Sequence, residues 1–274
     1  MDIKAYKMDG LGNDFVIIDQ RIKNIEFSRE QIIKICDRNF IGCDQLIIIK
    51  KNRELDAGLE FYNSDGSASG ACGNGTRCAA YLLSKENNNK EITVWTASGI
   101  IRSNILKDNL VKTQIGVPKT KWNEIPISEN KNTKNLGIKI MDENNNEHIG
   151  GIAINVGNPH VIFFVESINN FNIKKIGPAI ENNKLFPEKC NVTIAEVINQ
   201  NLIKVKVWER GAGQTKACGT AACATAVAGN INGLTKTSTD IEFELGRLSI
   251  FLDEKNSIHM KGPVSEIKEI DIKL

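Results

Sequence analysis

Short apolar runs rich in Ile and Val, each closed off by Gly, Asn or charged residues, recur along the chain. Residues 15–19, 45–50, 92–96, 161–165, 202–208, 241–245 and 248–252 read as β-strands on this pattern. Helical periodicity is rarer. Ser28-Arg29-Glu30-Gln31 has the form of a capping box and opens a helix to about residue 38, with Ile32, Ile33 and Cys36 on its inner face. Residues 75–85 place Cys78, Ala79, Leu82 and Leu83 at helical spacing, and residues 220–228 are almost entirely Ala, Thr and Val. The second segment is too apolar for a surface helix, and both are expected to be helices sheathed by sheet. Asn87-Asn88-Asn89 and Asn144-Asn145-Asn146 are polar turns, and Val117-Pro118-Lys119-Thr120-Lys121 is the expected crossing between two halves.

Composition narrows the class. The 274 residues suffice for two modest domains, each with its own core, and 41% hydrophobic with 25% charged residues is ordinary for a soluble globular protein. The net charge of +2 comes from scattered lysines without a basic stripe, so neither nucleic acid nor a membrane surface is an expected partner. The start of the chain has no apolar signal region and no later run approaches a membrane span, so a cytoplasmic location is expected. Seven cysteines, an odd number with no Cys-x-x-Cys pair, argue against a disulfide framework or a standard zinc site.

Two of those cysteines stand apart. Cys72 and Cys218 each precede a small-residue helix start, Cys72-Gly73-Asn74-Gly75-Thr76 and Cys218-Gly219-Thr220-Ala221-Ala222. A thiol there feels the positive end of the helix dipole and lies beside free backbone N–H groups, which favours thiolate. The surroundings are duplicated as well. Asn13, in Gly12-Asn13-Asp14-Phe15, precedes Cys72 by 59 residues, and Asn158, in Gly157-Asn158-Pro159-His160, precedes Cys218 by 60. Asn63 and Glu209 each precede their cysteine by nine, and Cys43-Asp44-Gln45 answers Cys190-Asn191-Val192. Two similar halves follow, residues 1–118 and 119–262, with one thiol apiece.

Two opposed thiols can invert a stereocentre, a thiolate taking a proton from one face of a carbon while a thiol delivers one to the other. This chemistry needs no cofactor, and the sequence holds neither a P-loop nor a completed dinucleotide fingerprint. A carbon beside a carboxylate is weakly acidic, so charge developing on that carboxylate must be met by preset donors, one of which is typically worth about 3 kcal/mol. Gly73, Asn74, Gly219 and Thr220 would supply N–H groups at the two helix starts.

The chain resembles the diaminopimelate epimerases. The resemblance lies in Gly12-Asn13-Asp14-Phe15, Asn63-Ser64-Asp65-Gly66-Ser67, Ala71-Cys72-Gly73-Asn74-Gly75-Thr76-Arg77-Cys78, Gly157-Asn158-Pro159-His160, Phe186-Pro187 to Asn191-Val192, and Trp208-Glu209-Arg210-Gly211-Ala212-Gly213 to Ala217-Cys218-Gly219-Thr220. It implies pyridoxal-independent interconversion of LL- and meso-diaminopimelate, with no cofactor and Cys72 and Cys218 as the acid/base pair, Cys72 the base toward the LL isomer. The N–H groups of Gly73, Asn74, Gly219 and Thr220 would hold the reacting carboxylate, and Asn63, Asn158, Asn191 and Arg210 the distal one. Glu209 would meet the distal ammonium, while Asn13 and Gln45 complete the pocket. His160 either tunes a thiol or serves the structure. The implied fold is α+β: two pseudo-symmetric domains, each a curved, mostly antiparallel or mixed sheet around a central helix, with the active site in the cleft between them. Residues 263–274 would return to the first domain. A homodimer and a product serving lysine or peptidoglycan synthesis are also implied. Two departures, the absence of an acidic residue in Ser67-Ala68-Ser69-Gly70 and Gln214 where glutamate is frequent, fall away from the chemistry.

Cys36, Cys43, Cys78, Cys190 and Cys223 read as packing residues. Three rival readings use the same thiols differently. A proline-racemase-type enzyme needs no distal recognition set, a thiol redox protein would normally keep its cysteines two apart, and a noncatalytic amino-acid-binding module would tolerate their loss.

Overall fold

The computed structural model describes residues 2–70, 72–107 and 109–274, with the backbone alone at Asn87. Met1 and Ala71, which figured in the reading of the terminus and of the first thiol motif, lie outside the described residues. The chain divides into two compact units, one running to Gln114 and including Lys261–Leu274, the other Ile115–Met260.

The first unit opens on β1 (Asp2–Gly10), where Ile3, Ala5, Met8 and Gly10 turn inward. It continues through β2 (Asn13–Asp19), α1 (Arg29–Cys36), β3 (Gln45–Lys50), β4 (Ala57–Asn63), β5 (Ala68–Ser69), α2 (Gly73–Asn87), β6 (Glu91–Thr96), β7 (Gly99–Ile105) and β8 (Leu110–Gly116). The second carries β9 (Ile138–Met141), β10 (Glu147–Gly150), β11 (Ile152–Asn155), β12 (Pro159–Val165), α3 (Ile173–Glu181), β13 (Asn191–Asn199), β14 (Leu202–Glu209), β15 (Gly213–Thr215), α4 (Gly219–Ile231), β16 (Ser238–Phe243) and β17 (Gly246–Leu252). Then come β18 (Ile258–Pro263) and β19 (Lys268–Lys273), the latter antiparallel to β1.

Strand pairing repeats between the units. β2 runs parallel to β3, β3 antiparallel to β4, and β4 parallel to β6, just as β12 is parallel to β13, β13 antiparallel to β14, and β14 parallel to β16. The hairpins β6–β7 and β16–β17 close over two residues, with Gly99 and Gly246 at positive φ after each turn. Each unit holds one buried helix among its strands. Cys78, Ala79, Leu82 and Leu83 of α2 pack with Phe15, Ile17, Ile47, Leu59 and Phe61. In α4 residues 221–229 are all buried, which is why that segment has almost no polar positions. The fold is therefore α+β, with mixed parallel and antiparallel strand pairing in each unit, a separate antiparallel β9–β10 pair and few helices. No described helix is long and apolar enough to cross a membrane.

The structure corrects several sequence expectations. Helix α1 stops at Cys36, and Ile35 rather than Ile33 joins Ile32 and Cys36 inside; Ile33 is 41% exposed. The Ser28–Gln31 capping box is present. The strand expected over 241–245 ends at Phe243, because Glu244 and Leu245 form the turn before Gly246. Asn87 ends α2 and Asn88 takes the left-handed cap, so only part of the asparagine run is turn. The register also shifts one equivalence. Gln45 lies opposite Phe15 and Asn191 opposite His160, which makes Gln45, not Asp44, the counterpart of Asn191.

Helix α3 had not been foreseen, since Gly177-Pro178 reads as a breaker, yet Asn172 caps it and Ile173, Ile176 and Ile180 face inward. Gly177 is obligatory for its packing: a Cβ there would sit 2.3 Å from Trp208 Cγ. Alanine would gain up to about 1 kcal/mol of helix propensity but force the indole aside, an overpacking cost of about 1–3 kcal/mol or more. Gly177→Ala is expected to destabilise the protein, read as a lower urea midpoint with unchanged m-value; an unchanged midpoint would show the packing to be soft.

Candidate active site

In the first unit Cys72 is the residue before α2, with φ −137° and ψ 117°. Its sulfur accepts the Gly75 N–H at 3.5 Å and lies 3.7 Å from Asn13 Oδ1, toward which the thiol donates. Asn74 Nδ2 donates to the same oxygen at 3.4 Å, and Asn13 Nδ2 donates to Asp44 Oδ2 at 2.8 Å. Asn13 is thus held by β2, by the residue before β3 and by the first turn of α2. Gln45 and Asn63, directly opposite on β3 and β4, form a second pair, with Gln45 Nε2 donating to Asn63 Oδ1 at 2.8 Å. Asn63 Nδ2 in turn donates to Ser67 Oγ at 3.0 Å.

In the second unit Cys218 precedes α4 with φ −140° and ψ 117°, nearly the backbone of Cys72. Thr220 Oγ1 lies 3.4 Å from its sulfur. Burial pushes the Cys218 thiol well above its ordinary range, and the Glu209 carboxylate beside it pushes the same way. Thr220 and the Ala221 N–H oppose this only in part. The expectation that a helix start would favour thiolate therefore fails at Cys218. Glu209 is itself fixed by Thr215 Oγ1, which donates to Oε1 at 2.5 Å. At both helix starts the first two residues, Gly73 with Asn74 and Gly219 with Thr220, hold N–H groups that no intrahelical carbonyl can take.

In the same unit a second network gathers Asn158, His160, Asn191 and Arg210. His160 is fully buried, its Nε2 2.9 Å from Asn158 Oδ1. Asn191 Nδ2 donates to the Pro159 carbonyl at 2.9 Å, and Asn191 Oδ1 accepts the Arg210 N–H at 3.0 Å. The Arg210 guanidinium donates through Nη1 to the Glu188 carbonyl at 2.8 Å. Burial lowers the His160 pKa to about 3, with Arg210 adding to the effect, so the ring is neutral.

Two further side chains were missed from sequence. Asp44 bridges Asn13 and the Asp14 N–H, and its only signal was adjacency to Gln45. Glu181, buried at the end of α3, accepts Trp208 Nε1 at 2.7 Å and the Gly211 N–H at 3.0 Å, pinning the loop that follows Glu209. Among the described residues no cluster of His, Cys, Asp and Glu could hold a metal ion.

The diaminopimelate epimerase family model matches residues 5–121 and 152–267, which include every residue named above as a site candidate. A diaminopimelate epimerase of Pelagibacter ubique (strain HTCC1062) is 70% identical over the whole of both chains. The chain belongs to the diaminopimelate epimerase family. Solved structures with the same fold include a PhzF-family phenazine biosynthesis protein of Bacillus anthracis, at 15% identity, TM-score 0.69 and full coverage of both chains. A hydroxyproline epimerase of Agrobacterium vitis matches at 12% identity and TM-score 0.67, covering 99% of this chain and 93% of its own. The fold is thus shared beyond the diaminopimelate epimerases.

In this family member the two buried networks make separate predictions. Folded His160 takes no proton until about pH 3, whereas the unfolded chain takes one near pH 6.5. Between those values the unfolded state binds more protons, so stability falls as pH is lowered through the window, by up to about 1.4 kcal/mol per pH unit. His160→Gln is expected to flatten that slope in urea titrations from about pH 7 to about pH 4; an unchanged slope would mean His160 is protonated in the fold. Glu209→Gln should lower the pH at which Cys218 is half alkylated by iodoacetamide, followed by peptide mapping. An unchanged or higher midpoint would remove Glu209 from the electrostatics of that thiol.

Proposed function

We propose that the protein interconverts LL- and meso-diaminopimelate by proton transfer at the α-carbon, with Cys72 as thiolate base toward the LL isomer and Cys218 as thiol acid. Family membership supports the substrate. The observation that carries the chemistry is the repetition of one thiol, at nearly identical backbone angles, before the buried helix of each unit. Burial and Glu209 favour the protonated form of Cys218, which suits it to the acid role.

In the LL direction the Cys72 sulfur takes the α-proton and the electron pair moves onto the α-carbon and its carboxylate. The Cys218 thiol then delivers its proton to the opposite face. Gly73, Asn74, Gly219 and Thr220 direct N–H groups at that carboxylate, where charge develops. Asn63, Asn158, Asn191 and Arg210 recognise the distal carboxylate, and Glu209 the distal ammonium besides its influence on Cys218. Asn13 orients the Cys72 thiol, Gln45 holds Asn63, and His160 acts by positioning Asn158 and Asn191. The two epimerase halves are assigned as residues 1–118 with 263–274 and 119–262. A cytoplasmic homodimer making a precursor for lysine or peptidoglycan fits the same reading.

The test is deuterium uptake from heavy water into LL-diaminopimelate, resolved by stereoisomer. The wild type should exchange and epimerise together, while Cys72→Ala and Cys218→Ala should each lose epimerisation by roughly 10²-fold or more. Full turnover by either variant would exclude the two-thiol mechanism and favour a binding module; turnover of proline but not of diaminopimelate would favour the proline-racemase class.

A further inference from the structure

Cys36 and Cys43, which neither the fold nor the proposed chemistry requires as thiols, lie with their sulfurs 3.4 Å apart. Seven positions separate them in sequence, and the approach is built by the intervening turn. The Gly42 N–H donates to the Ile35 carbonyl and the Cys43 N–H to the Cys36 carbonyl, each at 3.1 Å, folding the start of β3 back along the end of α1. Gly42 makes this possible: its φ is +75°, and a Cβ would lie 2.9 Å from Arg38 Cα. A surface cavity of about 350 Å³ is lined by both cysteines together with Ile33, Asp37, Arg38, Asp44 and Ser64. A molecule the size of a hydroperoxide therefore has a place beside the pair.

The local polarity favours one of the two as nucleophile. Cys43 donates its S–H toward Cys36, which lowers the Cys36 pKa against the opposing effect of burial, and the Arg38 guanidinium adds to the lowering. Cys43 is raised by the same contact and by burial, so it keeps its proton. A thiol of lowered pKa beside a partner that keeps its proton is the arrangement of an attacking and a resolving thiol.

We propose that Cys36 and Cys43 form a reversible dithiol/disulfide site that takes a hydroperoxide as oxidant and is coupled to the Cys72 half of the active site through Asp44 and Asn13. The Cys36 sulfur attacks the terminal peroxide oxygen, the O–O bond breaks, and the departing oxygen leaves as water or an alcohol. Cys36 becomes a sulfenic acid. The Cys43 sulfur then displaces that hydroxyl, which leaves as a second water with the Cys43 proton, and the S–S bond forms. Two thiols and one peroxide thus become one disulfide, the peroxide being reduced; a dithiol reductant reverses it.

The coupling follows from chain geometry. A disulfide needs sulfurs about 2.0 Å apart, so closure draws them together from 3.4 Å. Asp44 and Gln45 follow Cys43 directly, Asp44 Oδ2 holds Asn13 Nδ2 at 2.8 Å, and Asn13 Oδ1 receives the Cys72 thiol. A displacement near 1 Å at a group orienting a catalytic atom can lower turnover by roughly tenfold or more. This consequence rests on the function proposed above; the disulfide itself does not.

The experiment treats the full chain with hydrogen peroxide, blocks remaining thiols with iodoacetamide, and maps tryptic peptides. Cleavage after Lys34, Arg38 and Lys50 separates the pair, so the expected product is peptide 35–38 linked to peptide 39–50, lost on dithiol treatment. Oxidation of Cys72 with both peptides still separately alkylated would overturn the site. For coupling, epimerase activity of the linked form is compared with the reduced form, Cys72 and Cys218 being verified as free thiols in both. A loss of roughly tenfold or more, restored by dithiol and absent from peroxide-treated Cys36→Ala, is expected. Equal activity of the linked and reduced wild type would overturn the coupling, whether or not Cys36→Ala folds.

Discussion

A helix buried on every side cannot place a polar face in water, so its chemistry is confined to its ends. This constraint organises each unit. Helices α2 and α4 are enclosed by strands, and their first N–H groups have no carbonyl one turn earlier to accept them. A cysteine stands immediately before each helix in extended conformation, which brings the Cys72 sulfur to the Gly75 N–H and the Cys218 sulfur near that of Ala221.

The described partners of the two thiols differ. Around Cys72 the polar partners are Asn13 and the Gly75 N–H; beside Cys218 stand Glu209 and Thr220. At Cys218 burial outweighs the helix start. A helix terminus contributes about 0.3–2 kcal/mol, and at Cys218 desolvation together with the neighbouring Glu209 carboxylate outweighs it.

Much of the support for the second half comes from α3. Its Glu181 ties Trp208 to Gly211, and its Gly177 lets the indole lie against the helix, so the strand end bearing Glu209 and Arg210 is fastened on the side away from Cys218. In the first unit α1 does comparable work through a different side chain, Arg29 donating to the Asp65 carbonyl in the loop after Asn63 at 3.0 Å. The duplicated topology keeps the attachment points while their chemistry changes.

Local pattern determined the two thiol motifs, their matched spacing, the strand-rich α+β class and the two sheathed helices, because each depends on residues close in sequence or on hydrophobic period. The Ser28 cap was legible for the same reason. Proton affinity at Cys218, the neutrality of His160, the shift that pairs Gln45 with Asn191 in the duplication, and the meeting of Cys36 with Cys43 were decided only in three dimensions. Desolvation, strand register and the fold of a turn are sums over neighbours far along the chain, and no run of letters states which neighbours those are.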